Sequence, residues 1–130
     1  MDNRALKIIC HEVSGPAGRL GRISLNRPAQ YNVLDHEMVQ LLQQKLESWR
    51  KQDAIHAIII DGMGEHAFCA GGDLKFLYQQ HKNGSQAAIT MLSAEYQLNR
   101  FLDQYPKPIV VIGHGYVMGG GLGIALHGQY

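Results

Sequence analysis

A chain of 130 residues with 45% hydrophobic content and a formal net charge of +1 is enough material for one modest globular core. Twelve Lys and Arg nearly balance eleven Asp and Glu without a basic block, which argues against nucleic acid or an acidic membrane surface as partner. No apolar stretch approaches the roughly 20 residues of a membrane helix, and Met1-Asp2-Asn3-Arg4 leads into no apolar signal core. The two cysteines, Cys10 and Cys69, are far apart and suit free thiols in a reducing, cytoplasmic setting better than a disulfide framework.

The first element is a strand from Ala5 to Glu12, where Leu6, Ile8 and Cys10 alternate with Lys7, Ile9 and His11. Gly15-Pro16-Ala17-Gly18 is dense turn chemistry ahead of a second strand at Leu20–Leu25, so the chain opens with a hairpin. Pro28 closes that strand, because proline has no N–H for a ladder and restricts its predecessor. A helix capped by Asp35 follows, with Met38, Leu41, Leu42, Leu46 and Trp49 on one stripe. The apolar run Ala57–Ile60 reads as a buried strand, followed by a short helix from Asp73 to His81 and a turn at Asn83-Gly84. Ser85 caps a longer helix reaching Gln104, with Ala88, Met91, Leu92, Leu98 and Leu102 at helical spacing, and Pro106 and Pro108 end it. After a strand at Ile109–Ile112, a last helix begins at Gly119 and runs through Leu122, Ile124, Ala125 and Leu126. Strand–helix alternation of this kind predicts a mostly parallel sheet with crossover helices. A helix packed on a strand should lead into a further strand or cap, so the chain reads as truncated at Tyr130.

Two glycine-rich segments carry the chemistry. Ala67-Phe68-Cys69-Ala70-Gly71-Gly72-Asp73 follows the first apolar run, and Tyr116-Val117-Met118-Gly119-Gly120-Gly121-Leu122-Gly123 follows the second. Both are expected at strand ends, where α/β proteins bind ligands, and both are expected to open helices. Each then offers unpaired amides and the positive end of a helix dipole. Two such donors aimed at one oxygen make an oxyanion hole, and one pre-aimed donor contributes about 3 kcal/mol to transition-state stabilisation.

Together with Ser24-Leu25-Asn26-Arg27-Pro28 and His114-Gly115, these segments resemble the crotonase (enoyl-CoA hydratase/isomerase) superfamily, in order and spacing over nearly the whole chain. Gly72, the Met118–Gly123 run, His127-Gly128-Gln129 and Glu95-Tyr96-Gln97-Leu98-Asn99 are most similar to its 3-hydroxyisobutyryl-CoA hydrolase branch. The resemblance implies a spiral of ββα units, of which residues 1–130 are the N-terminal part of an acyl-CoA-binding domain. It implies that the Gly72 and Gly120 amides bind the thioester carbonyl oxygen. By the same likeness Ala70 and Gly71 contact coenzyme A near its adenine end, Arg27 meets its phosphates, and Glu95 contacts substrate. The activity implied is thioester hydrolysis in valine catabolism, with coenzyme A as part of the substrate and no separate cofactor. The alternatives are an enoyl-CoA hydratase or isomerase, or a truncated CoA-binding chain without turnover. Hydratases of the superfamily carry a catalytic Glu two residues after the third glycine. Here that position is Gly123, which cannot activate water. The acid/base carboxylates of the hydrolase branch come from further along the chain, beyond Tyr130. Relatives commonly form trimers or pairs of trimers, so a homo-oligomer is implied.

Other chemistries fit less well. Cys69 with His66 three residues before it could form a nucleophile pair, but a buried packing cysteine is the better reading. The seven histidines lack metal-ligand spacing, so no metal is expected. There is neither a Gly-x-Ser-x-Gly elbow nor a Walker lysine.

Overall fold

A computed structural model describes residues 6–72, 78–79, 82 and 86–128. Strands β1 (Ile8–Gly15) and β2 (Gly18–Leu25) form the hairpin, paired from Ile8↔Leu25 to Gly15↔Gly18 around Pro16-Ala17. Helix α1 (His36–Arg50) crosses over to β3 (Ile55–Gly62), which lies parallel to β2. Then come β4 (Ala67–Cys69), α2 (Ala87–Asp103), β5 (Ile109–Val111), β6 (Tyr116–Val117) and α3 (Gly120–His127). The described residues thus run ββα three times over. The main sheet has the order β1-β2-β3-β5, parallel apart from the hairpin, while β4 and β6 pair parallel in a small second sheet.

Helix α1 begins where the sequence places it. The Asp35 carboxylate accepts a 2.8 Å hydrogen bond from the Met38 amide, one of the amides that a helix start leaves unpaired. Met38, Val39, Leu42, Leu46 and Trp49 are buried on one stripe, with Leu41 at its margin. At the other end Lys107 Nζ donates to the carbonyls of Trp49 and Gln52, placing a cation on the negative end of the helix. The Tyr105 hydroxyl donates to the Leu46 carbonyl at 2.7 Å, and burial pushes this phenol up to about 12.

Burial pushes the Asp35 carboxyl up, but bonds from Lys7 and the Met38 amide, with the charges of Lys7 and Arg27, outweigh it and hold the group below its ordinary range. A carboxyl depressed in the fold stabilises above its unfolded pKa, and that stability is lost as pH falls through the folded value. Asp35→Ala is therefore expected to cost about 1–2 kcal/mol in urea unfolding near neutral pH. The gap from the parent should close as the solution is acidified past the ordinary aspartate range.

Leu92 and Leu126 are exposed: on α2 the buried stripe is Met91, Leu98 and Leu102, and α3 buries Gly121 and Ile124 three residues apart, which turns Leu126 outward. One expectation changes. The glycine segments end β4 and β6, short strands that the sequence did not announce, rather than β3 and β5. The helix expected at 73–81, the turn at 83–84 and the Ser85 cap lie outside the described residues. Described α2 starts at Ala87 after Gln86, whose carbonyl accepts from the Thr90 amide.

Candidate active site

The small sheet brings the two glycine segments together. Ala67 pairs with Tyr116 and Cys69 with Val117, and the Phe68, Tyr116 and Met118 amides donate to the carbonyls of His114, His66 and Cys69 at 2.7, 3.1 and 3.0 Å. Parallel pairing makes both segments leave the sheet from the same end. They remain adjacent there, since a Cβ built on Gly119 would stand 3.4 Å from Gly71 Cα. Gly119 caps α3 at φ 52°, ψ −121°, a backbone geometry that side-chain-bearing residues rarely adopt.

Several neighbouring main-chain groups are already engaged. The Gly71 carbonyl accepts from the Leu34 amide at 2.7 Å, the Ala70 amide donates to the Tyr31 carbonyl at 2.9 Å, and the Gly121 amide donates to the Met118 carbonyl. The amide of Gly72 has no hydrogen-bond partner among the described residues. Gly120 is the first residue of α3, where an unpaired amide is intrinsic to the helix.

Glu95 on α2 faces this junction. A Cβ on Gly72 would lie 3.0 Å from Glu95 Oε1, and that oxygen is buried without a hydrogen-bond partner. Burial pushes its carboxyl above the usual carboxylate range. The folded chain then holds the proton where the unfolded chain has lost it, so stability is fullest at low pH and falls as pH rises through the folded value. Glu95→Gln is expected to raise the unfolding free energy at neutral pH, measured by urea unfolding, because it removes the charge that burial disfavours. The advantage should vanish below the ordinary glutamate range. Equal melting of the two proteins at neutral pH would contradict the assignment of strain to this carboxylate.

The remaining candidates sort by their contacts. Burial pushes the Cys69 thiol up to about 11, the Glu95 charge adding to it, and Sγ faces the Gly71 carbonyl at 3.9 Å. A thiol so protonated is no nucleophile at neutral pH. Arg27 donates from Nη1 to the Val33 carbonyl and lies 3.6 Å from Asp35, so its charge also serves the start of α1. No three or more His, Cys, Asp or Glu among the described residues are grouped to hold a metal ion.

Asn32 stood out in no motif, and Asn99 only as the last residue of the Glu95–Asn99 segment. Asn32 is fully buried at φ 54°; its amide donates to the carbonyls of Met63 and Ala67 and its oxygen accepts from the Arg27 amide. An asparagine in a loop after a proline carries no local sign of such a role. Asn99 lies against Gly123, where a Cβ would come within 2.8 Å of its Nδ2.

Residues 20–130 match the enoyl-CoA hydratase/isomerase family, and the chain belongs to it. The 3-hydroxyisobutyryl-CoA hydrolase, mitochondrial, of Danio rerio is 39% identical over 113 residues, covering 87% of this chain and 30% of that protein. The small ribosomal subunit protein mS47 of Neurospora crassa is 37% identical over 114 residues, 85% of this chain and 22% of that protein. A crystal structure of a carnitinyl-CoA dehydratase from Mycobacterium thermoresistibile superposes with a TM-score of 0.87 at 37% identity, over 95% of this chain and 35% of that one. The fold is therefore the crotonase fold, and the chain spans about a third or less of the length of these relatives. No helix among the described residues is long and apolar enough to cross a membrane.

Proposed function

We propose that the chain forms the oxyanion-binding part of an acyl-CoA thioester hydrolase acting on 3-hydroxyisobutyryl-CoA, the hydrolytic step of valine catabolism. One observation carries the reading: the Gly72 amide, unspent among the described residues, and Gly120, the first residue of α3, sit on adjacent segments. As water or a carboxylate attacks the thioester, charge gathers on the carbonyl oxygen, and amides placed beforehand stabilise it without reorganising. Ala70 and Gly71 line the coenzyme A side in this reading, and Glu95 contacts the acyl portion. Arg27 would share its guanidinium between Asp35 and a coenzyme A phosphate. Acid/base carboxylates beyond residue 130, a cytoplasmic location and a homo-oligomeric state belong to the same proposal, although the hydrolase relative is by name mitochondrial.

Gly123 favours hydrolysis over hydration, because it brings no side chain to activate water for addition to a double bond. The assay pairs 3-hydroxyisobutyryl-CoA, followed by release of free thiol, with crotonyl-CoA, followed by loss of enoyl absorbance. Thiol release should be the faster, and the opposite order would move the assignment to a hydratase. A second reading, CoA binding without turnover, draws support from the likeness to a ribosomal protein. It predicts calorimetric binding of coenzyme A with no thiol released from either thioester.

A further inference from the structure

Helix α2 turns two polar side chains toward the glycine segments, one helical turn apart: Glu95 against Gly72 and Asn99 against Gly123. A Cβ on Gly123 would lie 2.8 Å from Asn99 Nδ2, 3.1 Å from Oδ1 and 3.3 Å from Cγ. The carboxamide therefore fills the volume that a side chain at 123 would take. Asn99 is half-buried, and among the described residues its carboxamide has no hydrogen-bond partner. A carboxamide held in a packed wall with donor and acceptor both unspent is poised for a ligand or for water. Gly123 follows Gly120 by three residues on α3, so the two positions stand roughly 5 Å apart along the helix.

We infer that Asn99 is the specificity residue of the site. Resting on the acyl-CoA reading above, its carboxamide hydrogen-bonds a hydroxyl on the third carbon of the acyl group while the thioester oxygen lies at the Gly120 amide. That hydroxyl oxygen lies three bonds from the carbonyl carbon, at most about 4 Å through space, and hydrogen bonds of about 3 Å at the two ends let such a group reach protein atoms one turn of α3 apart. The substrates so selected are 3-hydroxyacyl thioesters; an acyl group of the same skeleton without the hydroxyl leaves the buried face of Asn99 unpaired and binds less well.

The test uses non-hydrolysable thioether analogues of 3-hydroxyisobutyryl-CoA and isobutyryl-CoA, titrated calorimetrically into the protein. The hydroxylated analogue should bind roughly tenfold tighter. In Asn99→Leu the ratio should fall to within about twofold of one, with the loss on the hydroxylated analogue. Gly123→Ala should do the same from the opposite side, since its methyl meets the movable end of Asn99 rather than backbone, and it carries the test if Asn99→Leu fails to fold. An unchanged ratio in these variants, parallel weakening of both analogues, or equal binding by the parent overturns the inference and leaves the acyl-CoA reading standing. Failure of the parent to bind either analogue or coenzyme A itself removes both.

Discussion

Gly121→Ala is expected to destabilise the chain by on the order of 3 kcal/mol or more and to remove acyl-CoA binding with it. A Cβ at this position would stand 2.3 Å from the Cys69 carbonyl oxygen, 2.6 Å from Cys69 Cβ and 2.9 Å from the Cys69 carbonyl carbon. No rotamer relieves contacts of this kind, because two of the three atoms are main chain. The same carbonyl accepts from the Met118 amide, so β4 cannot retreat without giving up a bond that joins the two segments. Either α3 is pushed off β4 or the joint opens, and overpacking against backbone costs at least as much as overpacking in a core. A shift of about 1 Å between the Gly72 and Gly120 amides would lower any turnover about 100-fold. Urea unfolding and calorimetry with coenzyme A on the same sample check both parts. Parent-like stability in the variant would mean that α3 and β4 are not in the contact described.

Asn32→Ala should cost a similar amount, about 3–4 kcal/mol, by a different route. Three hydrogen bonds are lost, the Met63 and Ala67 carbonyls lose a donor, and alanine must adopt a left-handed backbone that asparagine tolerates better. The consequence extends past stability, because Asn32 ties the loop after β2 to the connection between β3 and β4. The neighbouring residues of that loop hold the first glycine segment, through Tyr31 to Ala70 and Leu34 to Gly71. Asn32→Asp keeps the shape and one acceptor but sets a carboxylate oxygen against the Met63 and Ala67 carbonyls in a fully buried place, and should lose at least as much as alanine in a denaturant series near neutral pH. A clearly smaller loss in Asp than in Ala would show that the donated bonds carry little of the effect.

Long periodic segments were legible from residue order. The stripe on α1, its Asp35 cap, the hairpin around Pro16-Ala17 and the buried strands at β3 and β5 all follow from spacing and turn chemistry. The small sheet was not legible, because strands of three and two residues are too short to show a period of two, and their pairing links positions 49 and 48 residues apart. The exposure of Leu92 and Leu126 was not legible for a related reason: a helix that packs along one narrow stripe leaves apolar residues outside it, and only tertiary contacts say where the stripe ends. The glycine segments stood out because glycine is dense there, yet their contact with each other rests on the pairing of β4 with β6, and that of Glu95 and Asn99 with them on the packing of α2 against both segments. Asn32 was hidden for the same reason, since its partners lie up to 35 residues away.

The joint between β4 and β6 is only five residues in all, whereas β1, β2 and β3 are eight residues each. Mechanical robustness and reactivity are thereby assigned to separate parts of one chain. The long strands and amphipathic helices form a frame that can absorb wear, and the proposed reaction centre hangs from a hinge with little redundancy. Such a centre opens locally long before the frame melts, and whatever occupies it acts as the missing rivet.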